Sequence, residues 1–342
     1  MTNININDLI TTKVPLRFSE DGKYRILMIS DIHAGRGYAA DLTVRALDAL
    51  IEEYKPDLVL MGGDIAGPGY IHVENEADLR DVLDSLTSPM EKRGIAWAHV
   101  YGNHDDNYGL ANAEHQKIYE TYPHCVSKAG PEELTGVGNY VLPIYDAEGK
   151  KILFNVFGFD SNHGIYDYRE EYGLGEKVRF YHPLPGSGDE DGMHFDQVMY
   201  YWNMSCALEE YNGAKIPAMM YMHIPLPEHA LVSQLIDKVK FEGTQLEQVA
   251  CTIVNPGVYS ACLQRGDVKG IFCGHDHVND FCATYGGIKI GYDGFLSYHA
   301  CHRNEIRGGR IIDLDVNKLP EIDTYMVRVR DVLGLSGDTP RG

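Results

Sequence analysis

Apolar positions in the first hundred residues switch between two spacings, and the switches outline the elements. Residues 24–29 are an unbroken β-prone run that closes on Ser30-Asp31-Ile32-His33-Ala34-Gly35, as a buried strand would. Leu42, Ala46, Leu47, Leu50 and Ile51 then recur at helical spacing, with Asp41 placed to cap the helix and Lys55-Pro56 to stop it. A second strand over 57–61 ends in Gly62-Gly63-Asp64, and a second helix over 77–92 puts Leu79, Val82, Leu83 and Leu86 on one face. Gly94 leads into a third apolar run, 95–101, which delivers Gly102-Asn103-His104-Asp105. This βαβαβ order predicts a sheet that begins parallel.

Further along, the spacing predicts a helix over 111–122 and a hairpin of 140–145 with 151–157 about Asp146-Ala147-Glu148-Gly149. Residues 160–192 are rich in Tyr, Gly, Pro and charge, the composition of a long surface loop that acts as a substrate lid or is a solvated insertion. A helix over 195–211 and a strand over 216–222 follow, the strand ending in His223-Ile224-Pro225, where the prolines forbid continuation. After a weakly patterned stretch to Gln264, a strand over 268–273 ends in Gly274-His275-Asp276-His277. The strand-like runs 288–292, 310–315 and 324–329 predict a second, mixed or antiparallel sheet, and residues 1–20 read as a peripheral lead-in. With no repeat or linker, one domain over 1–342 is expected.

Composition narrows the classes. A chain of 342 residues, 44% hydrophobic, can bury a large core. Fifty acidic residues against thirty Lys plus Arg give a formal charge of -20, which repels a phosphate backbone and argues against a nucleic-acid partner. No basic segment followed by an apolar one opens the chain, and no stretch is long and apolar enough to span a membrane. Seven cysteines without a C-x-x-C pair read as reduced thiols, so a cytoplasmic protein is expected.

The polar strand ends carry the chemistry. Ligands in open α/β sheets collect at the carboxyl ends of strands, where this chain places Asp31, His33, Asp64, Asn103, His223, His275 and His277. Carboxylate, amide and imidazole without thiolate suit Mn, Fe, Zn or Ni, and seven groups exceed the needs of one tetrahedral ion. They suit two ions about 3.5–4 Å apart, with Asp64 able to bridge through both oxygens. Such a pair binds phosphate oxygens and acidifies a bridging water for in-line attack. His104 is the extra imidazole and so the candidate general acid, with Asp105 fixing its tautomer from behind. His163, Tyr166 and Arg169 are candidate phosphate contacts from the long loop. Asp276, between two histidines, is expected to point away and orient a neighbour or cap a turn, and His99 falls inside a strand, as a core or sheet-face residue would.

In order, D-x-H, G-D, G-N-H-D, a lone His and G-H-x-H, these residues resemble the signature of the calcineurin-like metallophosphoesterases, from Asp31 to His277. The resemblance implies a four-layer α/β/β/α sandwich with two mixed sheets. It also implies one metal held by Asp31, His33, Asp64 and His277, a second by Asp64, Asn103, His223 and His275, and His104 as the catalytic histidine. Residues 274–281, with Asp196-Gln197-Val198 and Trp202, resemble the purple acid phosphatase-like branch. Purple enzymes carry a tyrosine iron ligand where this chain has Gly67, and a glycine where it has His33, so no tyrosinate colour is expected. The implied activity is hydrolysis of a small phosphorylated substrate, a monoester before a cyclic or other small diester, with a non-catalytic scaffold as the alternative from another class.

Overall fold

The computed structural model describes residues 6–66, 73–105, 109–162, 191–252, 254–300 and 303–334. Two sheets face each other, and the alternation along their strands shows why. The first contains β1 (Lys23–Ile29), β2 (Leu58–Met61), β3 (Ala96–His99), β11 (Gly308–Asp315) and β12 (Asp323–Arg328), in the order β12-β11-β1-β2-β3. β1, β2 and β3 are parallel, as their crossover helices α2 (Tyr38–Tyr54) and α3 (Glu76–Glu91) require; β11 runs antiparallel to β1 and β12 to β11.

The second sheet has the order β4-β5-β6-β8-β10-β9-β7. Its strands are β4 (Tyr140–Tyr145), β5 (Ile152–Gly158), β6 (Ala218–Met222), β7 (Lys240–Glu242), β8 (Val268–Cys273), β9 (Cys282–Tyr285) and β10 (Ile288–Tyr292). β5, β6, β8 and β10 are parallel neighbours, and the outer strands are antiparallel.

Successive strand residues point to opposite faces, so each sheet feeds two cores. Ile26, Met28, Leu58 and Leu60 of one sheet meet Leu142, Phe154, Met219 and Tyr221 of the other in a core between the sheets. Leu27, Ile29, Val59 and Met61 face α2 and α3 on one outside. Phe157, Met220, Met222 and Ile271 face α5 (Phe195–Asn212) and α7 (Val258–Arg265) on the other. These are the four layers α/β/β/α, with two mixed sheets as expected. Fully burying one such aliphatic side chain is worth about 1.5–3 kcal/mol.

Several expectations are corrected. The runs over 310–315 and 324–329 do not build the second sheet: β11 and β12 extend the first, because β1 has a free edge that only a returning strand can pair. The lead-in is not wholly peripheral. A short helix, α1 (Ile6–Ile10), packs Ile10 into the core, and residues 16–18 pair with β4 through Tyr145 N–H to Leu16 O and Phe18 N–H to Tyr145 O, both 2.9 Å. The weakly patterned stretch holds α6 (Pro227–Ser233), β7 and α7, elements too short to show a period. Helix α2 begins earlier than predicted, with Gly37 at its N-cap and Asp41 inside the first turn. Lys55, at φ 48°, ends it. The predicted helix over 111–122 is α4 (Asn112–Tyr119), and α8 (Val329–Leu333) follows β12. Gly67, His163, Tyr166, Arg169 and most of the 160–192 loop lie outside the described residues. No described helix is long and apolar enough to cross a membrane.

Candidate metal centre

Loops at the carboxyl ends of β1, β2, β3, β6 and β8 are zipped to one another by backbone bonds. Asp31 N–H donates to Gly63 O at 3.1 Å, His33 N–H to Asp64 O at 2.8 Å, and Gly274 N–H to His223 O at 3.1 Å. The approach is close enough to dictate glycine at the motif positions. A Cβ on Gly102 would lie 2.2 Å from Asp64 Oδ1, one on Gly63 2.6 Å from His223 Nδ1, and one on Gly274 1.9 Å from Ser30 Oγ.

Strain accompanies this crowding. Asp31, His33, Asp64 and His275 all have left-handed backbone, with φ of 49°, 42°, 50° and 75°. A non-glycine residue there costs on the order of 1–2 kcal/mol, which persists where surrounding structure over-determines it, as at ligand clamps.

The side chains converge as a cup. Asp31, His33, Asp64 and His223 are buried in its floor, while Asn103, His104, His275 and His277 are half-buried at its rim. His33 Nε2 lies 3.3 Å from His277 Nε2 and 3.6 Å from Asp64 Oδ2, and His277 Nε2 lies 3.3 Å from Asp31 Oδ1. On the other side of Asp64 Oδ2, His223 Nε2 stands 3.4 Å from that oxygen, 3.1 Å from Asn103 Oδ1 and 3.3 Å from His275 Nδ1. Asp31, His33, Asp64 and His277 each offer one ligand atom within 4.8 Å of the others.

The donor set fits cations. Imidazole nitrogens face one another in pairs at 3.3 Å, and Asp31 Oδ1 is buried without a hydrogen bond among the described residues. Lone pairs gathered in this way are satisfied by a positive ion. His223 is prepared for that role, since its Nδ1–H donates to Gly62 O at 2.8 Å and so turns Nε2 toward the cup. The charges are strongly coupled without an ion. Burial alone would raise the Asp31 and Asp64 pKa values, but the adjacent imidazoles carry both below the usual carboxylate range, Asp31 to about 2. Burial holds His33 down to about 4. It opposes protonation of His223 as well, yet Asp64 and Asp31 lift that imidazole to about 10.

Asp64 Oδ2 lies between His33 at 3.6 Å and His223 at 3.4 Å, while Oδ1 accepts the His104 backbone N–H at 2.9 Å. One expectation changes here. Asp105 does not orient His104 by the contacts its carboxylate makes. It accepts from the backbone N–H groups of Gly102 and Ile65, both at 2.8 Å, and of Ala66 at 3.0 Å, tying the loop after β3 to the loop after β2. Burial and the neighbouring Asp64 charge push its pKa up to about 7 against these bonds. The His104 ring lies beside His33, with centroids 5.9 Å apart.

Asp276 points away from the cup, toward the Tyr292 hydroxyl and Ala250 N–H. His229 is buried on α6, its Nδ1 accepting the Leu226 N–H at 3.1 Å, and does not join the cluster. His99 is buried and stacks on Tyr119 at 3.8 Å.

Three supporting residues went unread in the sequence. Ser30 Oγ donates to Gly62 O at 3.0 Å, and Ser161 Oγ accepts the Ile224 N–H at 2.7 Å, each steadying a ligand loop. Asp293, fully buried behind Gly62, has both oxygens without a hydrogen bond among the described residues, and burial with the Asp31 charge holds its pKa well above the carboxylate range. Only the position of Ser30 and Asp293 at strand ends could have signalled them.

The calcineurin-like phosphoesterase family model matches residues 24–279 of this chain. It is 32% identical over 339 residues to the Arabidopsis thaliana protein named probable inactive purple acid phosphatase 28, covering 89% of this chain and 78% of that one. Against probable inactive purple acid phosphatase 14 of the same plant, identity is 30% over 315 residues, 83% of this chain and 73% of the relative. Among solved structures, a dimetal phosphatase from Danio rerio matches with a TM-score of 0.56 at 12% identity, covering 89% of this chain and 98% of that one, a likeness of fold alone.

Proposed function

The chain belongs to the calcineurin-like phosphoesterase family, and from that premise we propose that it hydrolyses small phosphate esters, monoesters in preference to diesters, at a centre of two metal ions. One observation carries the reading: two sets of ligand atoms meet on the single oxygen Asp64 Oδ2, with His33 on one side at 3.6 Å and His223 on the other at 3.4 Å. Asp31, His33, Asp64 and His277 would hold one ion, and Asp64, Asn103, His223 and His275 the other. Bound there, the ions supply Lewis acidity toward phosphoryl oxygens and lower the pKa of a water.

The chain's own groups do the rest. Four buried residues form a floor that excludes bulk water, while half-buried His275 and His277 leave the cup open to substrate. His104 stands at that rim, where it gives a proton to the departing alkoxide. Asp105 fixes the turn that carries it by holding three backbone N–H groups. Preference for monoesters rests on relatives named as acid phosphatases.

The test is metal analysis of the purified chain with p-nitrophenyl phosphate and bis-p-nitrophenyl phosphate assayed side by side under added Mn, Fe, Zn or Ni. About two ions per chain and faster monoester turnover are expected; no bound metal and no turnover in any condition overturns the reading. Because the same relatives are named probable inactive, a metal-holding scaffold is the second reading, and two bound ions without turnover would select it.

A further inference from the structure

At the opposite end of the strands from the metal centre, a cleft of about 530 Å³ opens between the two sheets. Its walls are the amino ends of β5, β6 and β8 and the turn that follows β11. The ligand loops follow the carboxyl ends of β6 and β8, so the cleft lies roughly one strand length, 15–20 Å, from the cup. The volume is in the range of small-molecule sites.

The lining is mixed in a particular way. Leu153, Val316, Leu319 and Pro320 make an apolar wall, and Lys151, Lys215 and Lys269 edge it. Lys215 Nζ donates to Arg265 O at 2.8 Å and Lys269 Nζ to Gly266 O at 2.9 Å, so consecutive carbonyls gather two ammonium groups at one corner. Each ammonium has three N–H groups and spends one there.

No described carboxylate forms an ion pair with any of the three lysines, although the chain as a whole carries a formal charge of -20. The carboxylate in the lining, Asp267, is buried, and its oxygens accept from the Tyr201 and Ser205 hydroxyls and the Val268 N–H. Lys23, Lys240 and Lys318 are paired with acids, whereas Lys215 has the Glu209 charge near it, and that carboxylate is itself bonded to Arg265. A cationic corner on an apolar wall, in an acidic protein, is complementary to a molecule with one anionic end.

We propose that this cleft is a second binding site, for an organic anion with an apolar body whose head is held by Lys215 and Lys269 and whose body lies on Leu153, Val316 and Leu319. The site is independent of the hydrolase reading, and its failure would leave that reading untouched. The alternative is that the two lysines only cap the end of α7, a role common for lysine at a helix C-terminus.

Calorimetric titration of the full chain with octanoate, in a buffer free of competing anions, separates the two, and the lysine variants distinguish the cleft from the metal centre. One saturable site per chain is expected, weakened at least tenfold in the Lys215→Gln/Lys269→Gln double variant. Ala214→Trp, at an exposed position on the cleft wall, should weaken binding as strongly by filling the space, with thermal unfolding confirming that both variants fold. Hexanoate and dodecanoate run alongside distinguish a short soluble acid from a lipid-derived one, and tighter binding of either supports the site. No octanoate binding at millimolar concentration overturns the proposal, as does equal affinity in both variants. Acetate binding as tightly as octanoate would also overturn it, since the apolar wall would then contribute nothing.

Discussion

The backbone N–H of His104 donates to Asp64 Oδ1 at 2.9 Å, so the residue proposed to deliver the proton is hung on the residue shared by both ligand sets. The two carboxylate oxygens therefore do different work, Oδ1 holding the turn and Oδ2 facing His33 and His223. Asp64→Asn can keep one of these duties but not the charge that draws cations to both halves of the cup. Metal content is expected to fall from about two ions per chain to below one, with affinity down by roughly 100-fold, the upper end of what losing a partner that orients a ligand costs. Elemental analysis after gel filtration reads this directly, and two retained ions would refute the shared role.

His104→Ala removes the half-buried imidazole at the rim without touching a ligand atom. Metal content should stay near two per chain while kcat falls by ~10²–10⁴ for esters with poor leaving groups. The loss should shrink for p-nitrophenyl phosphate, whose leaving group needs little protonation. An equal loss on both substrates would take His104 out of the acid role.

Gly102→Ala tests whether the motif glycine is dictated by approach distance. The added methyl would sit 2.2 Å from Asp64 Oδ1 and 2.4 Å from Asp64 N, and the second is backbone that cannot rotate away. Overpacking of this kind costs typically about 1–3 kcal/mol, and here the displaced group is a ligand. Urea unfolding should show that loss together with reduced metal content; an unchanged midpoint and full metal content would show that the loop yields freely.

Much of this site was legible because its chemistry sits on strand ends, where apolar runs stop and a few polar residues must follow. Asp31, His33, Asp64, Asn103, His223, His275 and His277 could be picked out one strand at a time, and the structure brings them to one cup. What the linear pattern could not carry was pairing. The run 310–315 looks like any edge strand, and only the free side of β1 assigns it to the first sheet. Roles that depend on which atom faces which partner were equally hidden. Asp105 reads as a partner for the adjacent imidazole, but in three dimensions the N–H groups of Ile65 and Ala66, forty residues away, lie at its oxygens. Short elements such as α6 and β7 fall below the length at which a period can be seen.

Metal uptake should release protons. In the metal-free cup, burial disfavours the charged His223 imidazole, but Asp64 and Asp31 outweigh it and carry the pKa to about 10. At pH 7 that ring holds a proton that it must lose before Nε2 can bind a cation. Calorimetry of Mn or Zn addition to the chelator-treated chain, in buffers of different ionisation enthalpy, should report at least one proton released at pH 7 and fewer as pH rises through 10. Zero release at pH 7 would show that His223 is already neutral.

Acid stability has a separate source, away from the cup. His229 is fully buried on α6, and burial is the main cause that lowers its pKa to about 4, against backbone hydrogen bonds of Gly291 and Ile271 that favour the charged form. Its Nδ1 accepts the Leu226 N–H at 3.1 Å, so the neutral ring carries its proton on Nε2, 3.3 Å from Gly291 O. Protonating Nδ1 would set two donors against each other inside the core. The folded chain thus keeps this ring neutral at pH values where the unfolded chain, with an ordinary value near 6.5, is already charged. Between those pH values the unfolded state binds more protons, so stability is complete above about pH 6.5 and drains away as pH falls toward 4. A shift from about 6.5 to about 4 corresponds to roughly 3 kcal/mol at full effect. His229→Asn offers an acceptor to the same N–H and cannot titrate, so its urea-unfolding free energy should be flatter than wild type by about that amount between pH 6.5 and 4. Identical slopes in the two proteins would place the acid sensitivity elsewhere, with buried His99, lowered to about 3 mainly by burial, the next residue to replace.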